Sequence, residues 1–476
     1  MKRKVLACIT ACALAICCFV PVSFAATAVT DEESLRTAIE EGGTIDLNDQ
    51  TIDLSSKLVI DNDVTITGGT LNGEISGTGT ANNVVEVVNG ADVTLNNITI
   101  KSKSNHALNV WGGNVTANNL ILDHSNGQNG APAVISNGSN AKFSGELTLK
   151  LGDESWYGIN IDNSRVNFTG ATITGVDTKV DTQSVVCIEN PVSEGVTGLP
   201  VSLTEVRTAD EQIAFVQDED LSQFVAAKKD KDVTSVTLYD DVKLSAPLNL
   251  YNATKVIGNG NSIIGPDGVK DNVVTVWKDG TALNDLTIKT TASNKSALHL
   301  YKASAILTNV TLDNQETAGG AGMVVNGGKA TIKGELNILL GANSWGGVNI
   351  DDQYGNSGME FADGSTLTLT SPSNQDAIYI DRDEDNSVTV IGADKAGLEQ
   401  DADGNYIIAK TEEPTDPSQP GDKPSQDEDK TPAADADKEA AADSPKTGDE
   451  SASYGLLIAL MLCSGAGIYA LKRNAK

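Results

Sequence analysis

The feature that most constrains this chain is that it matches itself. Asn83-Val84-Val85 returns as Asn272-Val273-Val274, Ile98-Thr99-Ile100-Lys101 as Leu286-Thr287-Ile288-Lys289, and Leu122-Asp123 as Leu312-Asp313. Leu151-Gly152 through Trp156 to Asn160-Ile161-Asp162 returns as Leu340-Gly341 through Trp345 to Asn349-Ile350-Asp351, and the offset stays at 188–190 residues. Residues 31–410 are therefore an internal duplication. A finer rhythm runs inside each half. Short apolar strands are expected at 84–88, 107–110, 133–135, 158–161 and 185–188, and again at 273–276, 297–300, 323–325, 348–350 and 378–380. Their spacing is about 22–27 residues in the first half.

Between these runs lie paired strands split by one special residue. Asn97, Asn119 and Asn309 occupy the bend, and Asp285 stands at the matching place. Asn and Asp tolerate left-handed backbone angles better than other residues, so they suit a sharp corner. Short strands and a corner every ~25 residues describe a parallel β-helix, whose bare apolar faces are covered only when the next coil stacks ~4.8 Å away. Alternation then sends Ile98 and Ile100 inward and Thr99 and Lys101 outward. A β-sandwich, the main alternative, does not ordinarily predict a constant coil length. An open solenoid end needs a cap. Residues 33–41 read as a short amphipathic helix ending at Gly42-Gly43 and entering a strand at 44–47, and residues 220–227 followed by a strand at 233–238 are its counterpart.

A cap helix feeding Asn-, Gly- and Thr-rich coils resembles the pectate-lyase-like right-handed β-helix superfamily. The resemblance implies an all-β fold of two tandem right-handed parallel β-helices, each with a short N-terminal cap helix, over residues 26–207 and 208–410.

Acidic residues outnumber basic ones by 65 to 34, a formal charge of −31 with no basic cluster, which argues against a nucleic-acid partner. Of six cysteines, Cys8, Cys12, Cys17 and Cys18 fall near the start and Cys463 near the end. Only Cys187 lies in the repeats, where a small buried core position is expected and no disulfide is possible.

The flanks carry processing signals. Lys2, Arg3 and Lys4, an apolar stretch from Val5 to Val20 and Ser23-Phe24-Ala25 form a secretory signal peptide over residues 1–25, with cleavage expected between Ala25 and Ala26. The rival is a lipoprotein leader at Ile9-Thr10-Ala11-Cys12. Residues 411–443 are acidic, contain Pro and lack large apolar side chains, so a disordered stalk is expected. Ser444-Pro445-Lys446-Thr447-Gly448 follows, then an apolar run at 454–471 long enough for a transmembrane helix, then a basic cytoplasmic tail at 472–476.

This order resembles the cell-wall sorting signal of Gram-positive surface proteins, with Ser444 where the LPxTG pentapeptide has Leu. The resemblance implies a sortase partner that cuts between Thr447 and Gly448 and joins Thr447 to peptidoglycan, the membrane being occupied only before sorting. A plain membrane anchor is the alternative. A wall-anchored, extracellular protein is expected.

Catalytic residues are sparse. The coils hold only Arg165 and Arg382, and His106, His124 and His299 are scattered, His106 and His299 at different register positions. Candidate ligand-binding residues are Trp156 with Asp162 and Trp345 with Asp351, the indole stacking on a pyranose and the carboxylate accepting its hydroxyls; the bland alternative is a turn whose Trp packs on the neighbouring coil. Asp381-Arg382-Asp383-Glu384-Asp385 and Asp401-Ala402-Asp403-Gly404 could hold Ca²⁺ through oxygen, against the alternative of solvated turns, and no other cofactor or metal is expected. The favoured reading is a non-enzymatic adhesin for a glycan or host-matrix protein, with no catalytic residue. The alternatives are a wall-bound polysaccharide lyase or glycoside hydrolase and a passive spacer.

Overall fold

The computed structural model describes residues 26–409 except 74, 76–79, 104, 211, 352, 374 and 382–387. Strand makes up 49% and helix 8%, and the chain winds as an all-β solenoid of right-handed type with about 12 turns. Ala25, the sorting pentapeptide, the stalk and the 454–471 run lie outside the described residues, among which no helix is long and apolar enough to cross a membrane.

The first turn begins at helix α1 (Glu32–Glu41). Asp31 caps it by accepting from Ser34 N at 2.8 Å, and the Ser34 hydroxyl accepts from Asp31 N at 3.2 Å. Both orphan amides are satisfied in this reciprocal arrangement. Leu35, Ala38 and Ile39 are buried, so α1 closes the open end of the core.

Each following coil contributes one long bent strand and one short strand. The long strands Asp92–Ser102, Asn114–Asp123 and Asn140–Lys150 stack in parallel register, as do Thr281–Lys289, Ala305–Asp313 and Lys329–Leu339. The corners are left-handed as the sequence implies: φ is 55° at Asn97, 52° at Asn119, 50° at Asp285 and 52° at Asn309. Their side chains form ladders, with Asn119 Nδ2 donating to Asn97 Oδ1 at 3.0 Å and Asn309 Nδ2 to Asp285 Oδ1 at 2.9 Å. Gly145 and Gly334 end these ladders, and a Cβ on either would stand 2.3 or 2.2 Å from the Asn oxygen beneath it. Close approach, added to positive φ, requires glycine there.

The ladder changes character at four strands: β1 (Val186–Glu189), β2 (Leu203–Thr208), β3 (Ile213–Gln217) and β4 (Val233–Thr237). β3 pairs antiparallel with both β1 and β2, and β2 pairs antiparallel with β4. Strand direction is therefore reversed beyond the junction, and parallel stacking resumes from β4. The core changes sides at the same point. Val186, paired with Phe215, belongs with it to one hydrophobic cluster, whereas Val206, Ala214 and Val236, paired with one another, belong to a second. Both faces of β3 are thus buried. The described residues form one compact unit containing these two clusters. The expected boundary at 207/208 falls within β2.

Helix α2 (Leu221–Ala227) lies where the second cap is expected and buries Leu221, Phe224 and Val225 in the second cluster. A 3₁₀ turn, Asp218–Asp220, precedes it. Cys187 is fully buried, but it pairs with Ala214 and so points away from the first core, toward the junction. The small buried position expected from the sequence is thus borne out, although the residue belongs to neither hydrophobic cluster. Burial, reinforced by Glu189, pushes its thiol up to about 12.

Candidate functional site

The short strands of successive coils put their alternate residues on one outward face. In the second half, Tyr301 pairs with Asn326, Asn326 with Asp351 and Asp351 with Asp381. One outward row therefore reads aromatic, amide, acid, acid. Trp277 precedes it one coil earlier, 4.7 Å from Tyr301 by ring centroids, and Tyr251 stacks on Trp277 at 6.0 Å and 24°. Tyr354 closes edge-on against Tyr301 at 5.5 Å. Lys302 sets its ammonium 3.8 Å from the Tyr354 ring centre, a cation–π contact that holds the cluster. Trp277 is fixed by its Nε1, which donates to Asn249 Oδ1 at 2.9 Å, yet stays 40% exposed.

The first half carries the same row. Trp111 pairs with Ser136, Asp162 pairs with Glu189, and Ser136 and Asp162 follow Ile135 and Ile161, which pair. Trp111 thus corresponds to Tyr301, Ser136 to Asn326, Asp162 to Asp351 and Glu189 to Asp381. At 54% exposed, Trp111 presents most of its ring to solvent.

Polar groups on this face are unusually unsatisfied. Asp351 accepts from Asn326 Nδ2 at 3.2 Å and Asp162 from Asn190 Nδ2 at 2.8 Å. The buried atoms Asn326 Oδ1, Asn349 Oδ1, Ser136 Oγ, Asn160 Oδ1 and His299 Nε2 have no partner among the described residues, and all five residues stand on outward rows of these short strands. Buried polar atoms are ordinarily paired, and five of the eight without a partner among the described residues fall beneath this face, the others being His124 Nε2, Ser184 Oγ and Asn314 Oδ1.

Trp156 and Trp345 lie elsewhere. Each occupies a turn leading into a short strand, its backbone N donating to Gly130 O at 2.6 Å and to Gly320 O at 2.7 Å respectively. Trp156, 46% exposed, packs edge-on against His106 at 5.9 Å. Six residues of nearly extended chain separate it from Asp162, up to about 20 Å. The indole and carboxylate of each expected pair therefore occupy opposite ends of a strand. His106 and His124 are buried and His299 is half-buried; desolvation pushes His106 and His299 down to about 4 and lowers His124.

Among the described residues no group of three metal-ligating side chains forms. Asp401 Oδ1 accepts from Asp403 N at 3.0 Å and Asn405 N at 2.8 Å, so it stabilises its own turn. Residues 382–387, with most of the other acidic run, lie outside the described set. A recess of about 500 Å³ on the long-strand face includes Lys142 and Arg165, which have no ion-pair partner among the described residues.

No family model and no curated protein sequence matches the chain. Among solved structures it is similar to the A-module of Azotobacter vinelandii mannuronan C-5 epimerase AlgE4, with 12% identity over 77% of this chain and 98% of that one, at a TM-score of 0.20. The AlgE6 A-module of the same organism gives 12% identity over 76% and 98%, also at 0.20. PfbA, a surface adhesin of Streptococcus pneumoniae, gives 11% over 81% and 100%, at 0.17. These neighbours include an enzyme and an adhesin, and likeness at this level assigns neither role.

The sequence missed Tyr251, Trp277, Tyr301, Tyr354 and Trp111. Tyr251, Trp277 and Tyr301 come one per coil, about 25 residues apart, and Trp111 holds the matching place in the first half. The available signal for these four was their common place, one residue past the last inward apolar residue of each short strand; Tyr354 comes from the turn that follows the strand ending at Asp351 and carried no such signal.

Proposed function

We propose that the protein is a glycan-binding adhesin whose ligand lies across the outward face of the short strands. The observation that carries this reading is the twofold row of aromatic, small polar and acidic residues with orphaned polar atoms beside it. Flat rings cover the apolar face of a pyranose, and carboxylates and amides take its hydroxyls. On this reading Asp162 and Asp351 keep their ligand-binding role, Trp111 and Tyr301 supply the stacking, and Trp156 and Trp345 contact only a ligand long enough to reach the strand entrances. The two clusters are read as two tandem solenoid domains meeting at the junction. The protein is read as exported after cleavage at Ala25–Ala26, then fixed by sortase to peptidoglycan through Thr447. Thr447→Ala should release it from the wall fraction; unchanged attachment would refute anchoring.

The binding test uses the full chain on a broad glycan panel. Trp111→Ala and Tyr301→Ala combined should weaken binding about tenfold or more, as truncating a buried aromatic contact does. Binding untouched by both substitutions would refute the site.

The second reading is a polysaccharide lyase or hydrolase. Its support is that Asp162 with Glu189, and Asp351 with Asp381, are lateral neighbours on adjoining strands, near the spacing of a retaining glycosidase pair. Polysaccharide turnover abolished by Asp162→Asn and Asp351→Asn together would establish it.

A further inference from the structure

We infer that the two rows act as a bivalent clamp on one long, non-anionic polysaccharide, an inference that rests on the glycan-binding reading. The argument comes from the junction. Side chains in paired positions of a sheet share a face. Phe215 and Val186 face the first core, and Ala214, Val206 and Val236 face the second, so the two cores lie on opposite sides of one continuous sheet. The row of Trp111, Ser136, Asp162 and Glu189 is on the outer side of that sheet, away from the first core, because Glu189 alternates with the inward Ile188. The second core is on this same side. The short strands of the second half close that core, so their outer face, with Tyr301, Asn326, Asp351 and Asp381, is turned to the same side of the molecule.

The two rows also run in the same sense. Passing along the axis, each begins with an aromatic residue and ends in two acids. From the strand of Trp111 to the coil of Tyr301 the ladder makes eight steps. At ~4.8 Å per step the rows are about 38 Å apart. A repeating polymer presents the same groups in the same orientation at both places, which a short oligosaccharide does not.

Charge narrows the class. Asp162, Glu189, Asp351 and Asp381 all lie in the rows, on a chain of formal charge −31, and a polyuronate would be repelled. Neutral or amino-sugar chains share the required hydroxyl-rich, non-anionic chemistry.

Once one row is engaged, the second binds from an effective concentration set by the connecting chain, and the gain disappears if either row is lost. The experiment measures full-length protein against tetrameric and long-chain fractions of mannan, β-glucan and chitosan, with alginate as the polyanion. The expected result is two short chains bound per protein, with a long chain of the same sugar held about a hundredfold more tightly. Trp111→Ala or Tyr301→Ala alone should remove that excess, leaving one short chain bound at unchanged affinity, and Trp111→Phe, which keeps a ring, should retain it. One short chain per wild-type protein, or a long-chain gain that survives either alanine, overturns the clamp while leaving glycan binding intact. Binding to alginate alone overturns the non-anionic class. Failure of every fraction to bind overturns the glycan reading and the clamp with it.

Discussion

Phe215 and Val216 are consecutive in the chain, and they bury their side chains in different hydrophobic cores. Phe215 is 8% exposed and Val216 1%, so neither face of this strand is given to solvent. The two halves are thereby welded through one strand, and the orientation of the two outward rows depends on it.

Phe215→Ala and Val216→Ala should therefore lower the same melting transition. Large-to-small changes at such sites cost about 3 kcal/mol for Phe and less for Val, from lost transfer energy and the cavity left behind. Calorimetry showing two transitions, each shifted by only one substitution, would show that the halves melt independently.

The corner ladder predicts an ordered series at one stack. Gly334→Ala should destabilise most, because φ is 75° there and the new Cβ meets Asn309 Oδ1. Asn309→Val should cost about 1–3 kcal/mol through its left-handed φ, besides losing the bonds to Asp285 and Glu335 N. Asn309→Gly keeps the backbone and loses only those bonds, so it should cost less. Urea midpoints would check the order.

Cys187 should be inert in the native protein. Burial holds its thiol near 12, leaving almost no thiolate at pH 8, and the side chain is fully covered. In a chain with Cys8, Cys12, Cys17, Cys18 and Cys463 changed to Ser, Ellman's reagent should react only after denaturation. Rapid native labelling would mean that the junction opens.

His299 should make stability fall in mild acid. Its folded value is near 4 against 6.5 unfolded, so between these pH values the unfolded chain binds more protons. The stabilisation is complete above about 6.5 and is lost as pH drops toward 4. Relative to wild type, His299→Gln should flatten unfolding free energy against pH across that window; an unchanged slope would show that this imidazole is not buried neutral.

The coils were legible because stacking demands periodicity. Asn97, Asn119, Asp285 and Asn309 announced their left-handed corners through side-chain chemistry alone. Both cap helices were visible as amphipathic stretches before the first strands. Pairing Trp156 with Asp162 failed because nearness in sequence is distance along an extended strand, whereas nearness across a solenoid comes every ~25 residues.

By itself, the sequence determined the all-β solenoid class, the duplication and the corner positions, since each follows from local alternation and the backbone preferences of Asn, Asp and Gly. Only the tertiary structure decided that the core crosses the sheet at Phe215 and Val216, that Cys187 faces the junction, and that Trp111, Tyr301 and the acids of Asp162, Glu189, Asp351 and Asp381 form rows. Those outcomes depend on which strand edges meet, and register between strands distant in the chain is fixed by packing that no local pattern encodes.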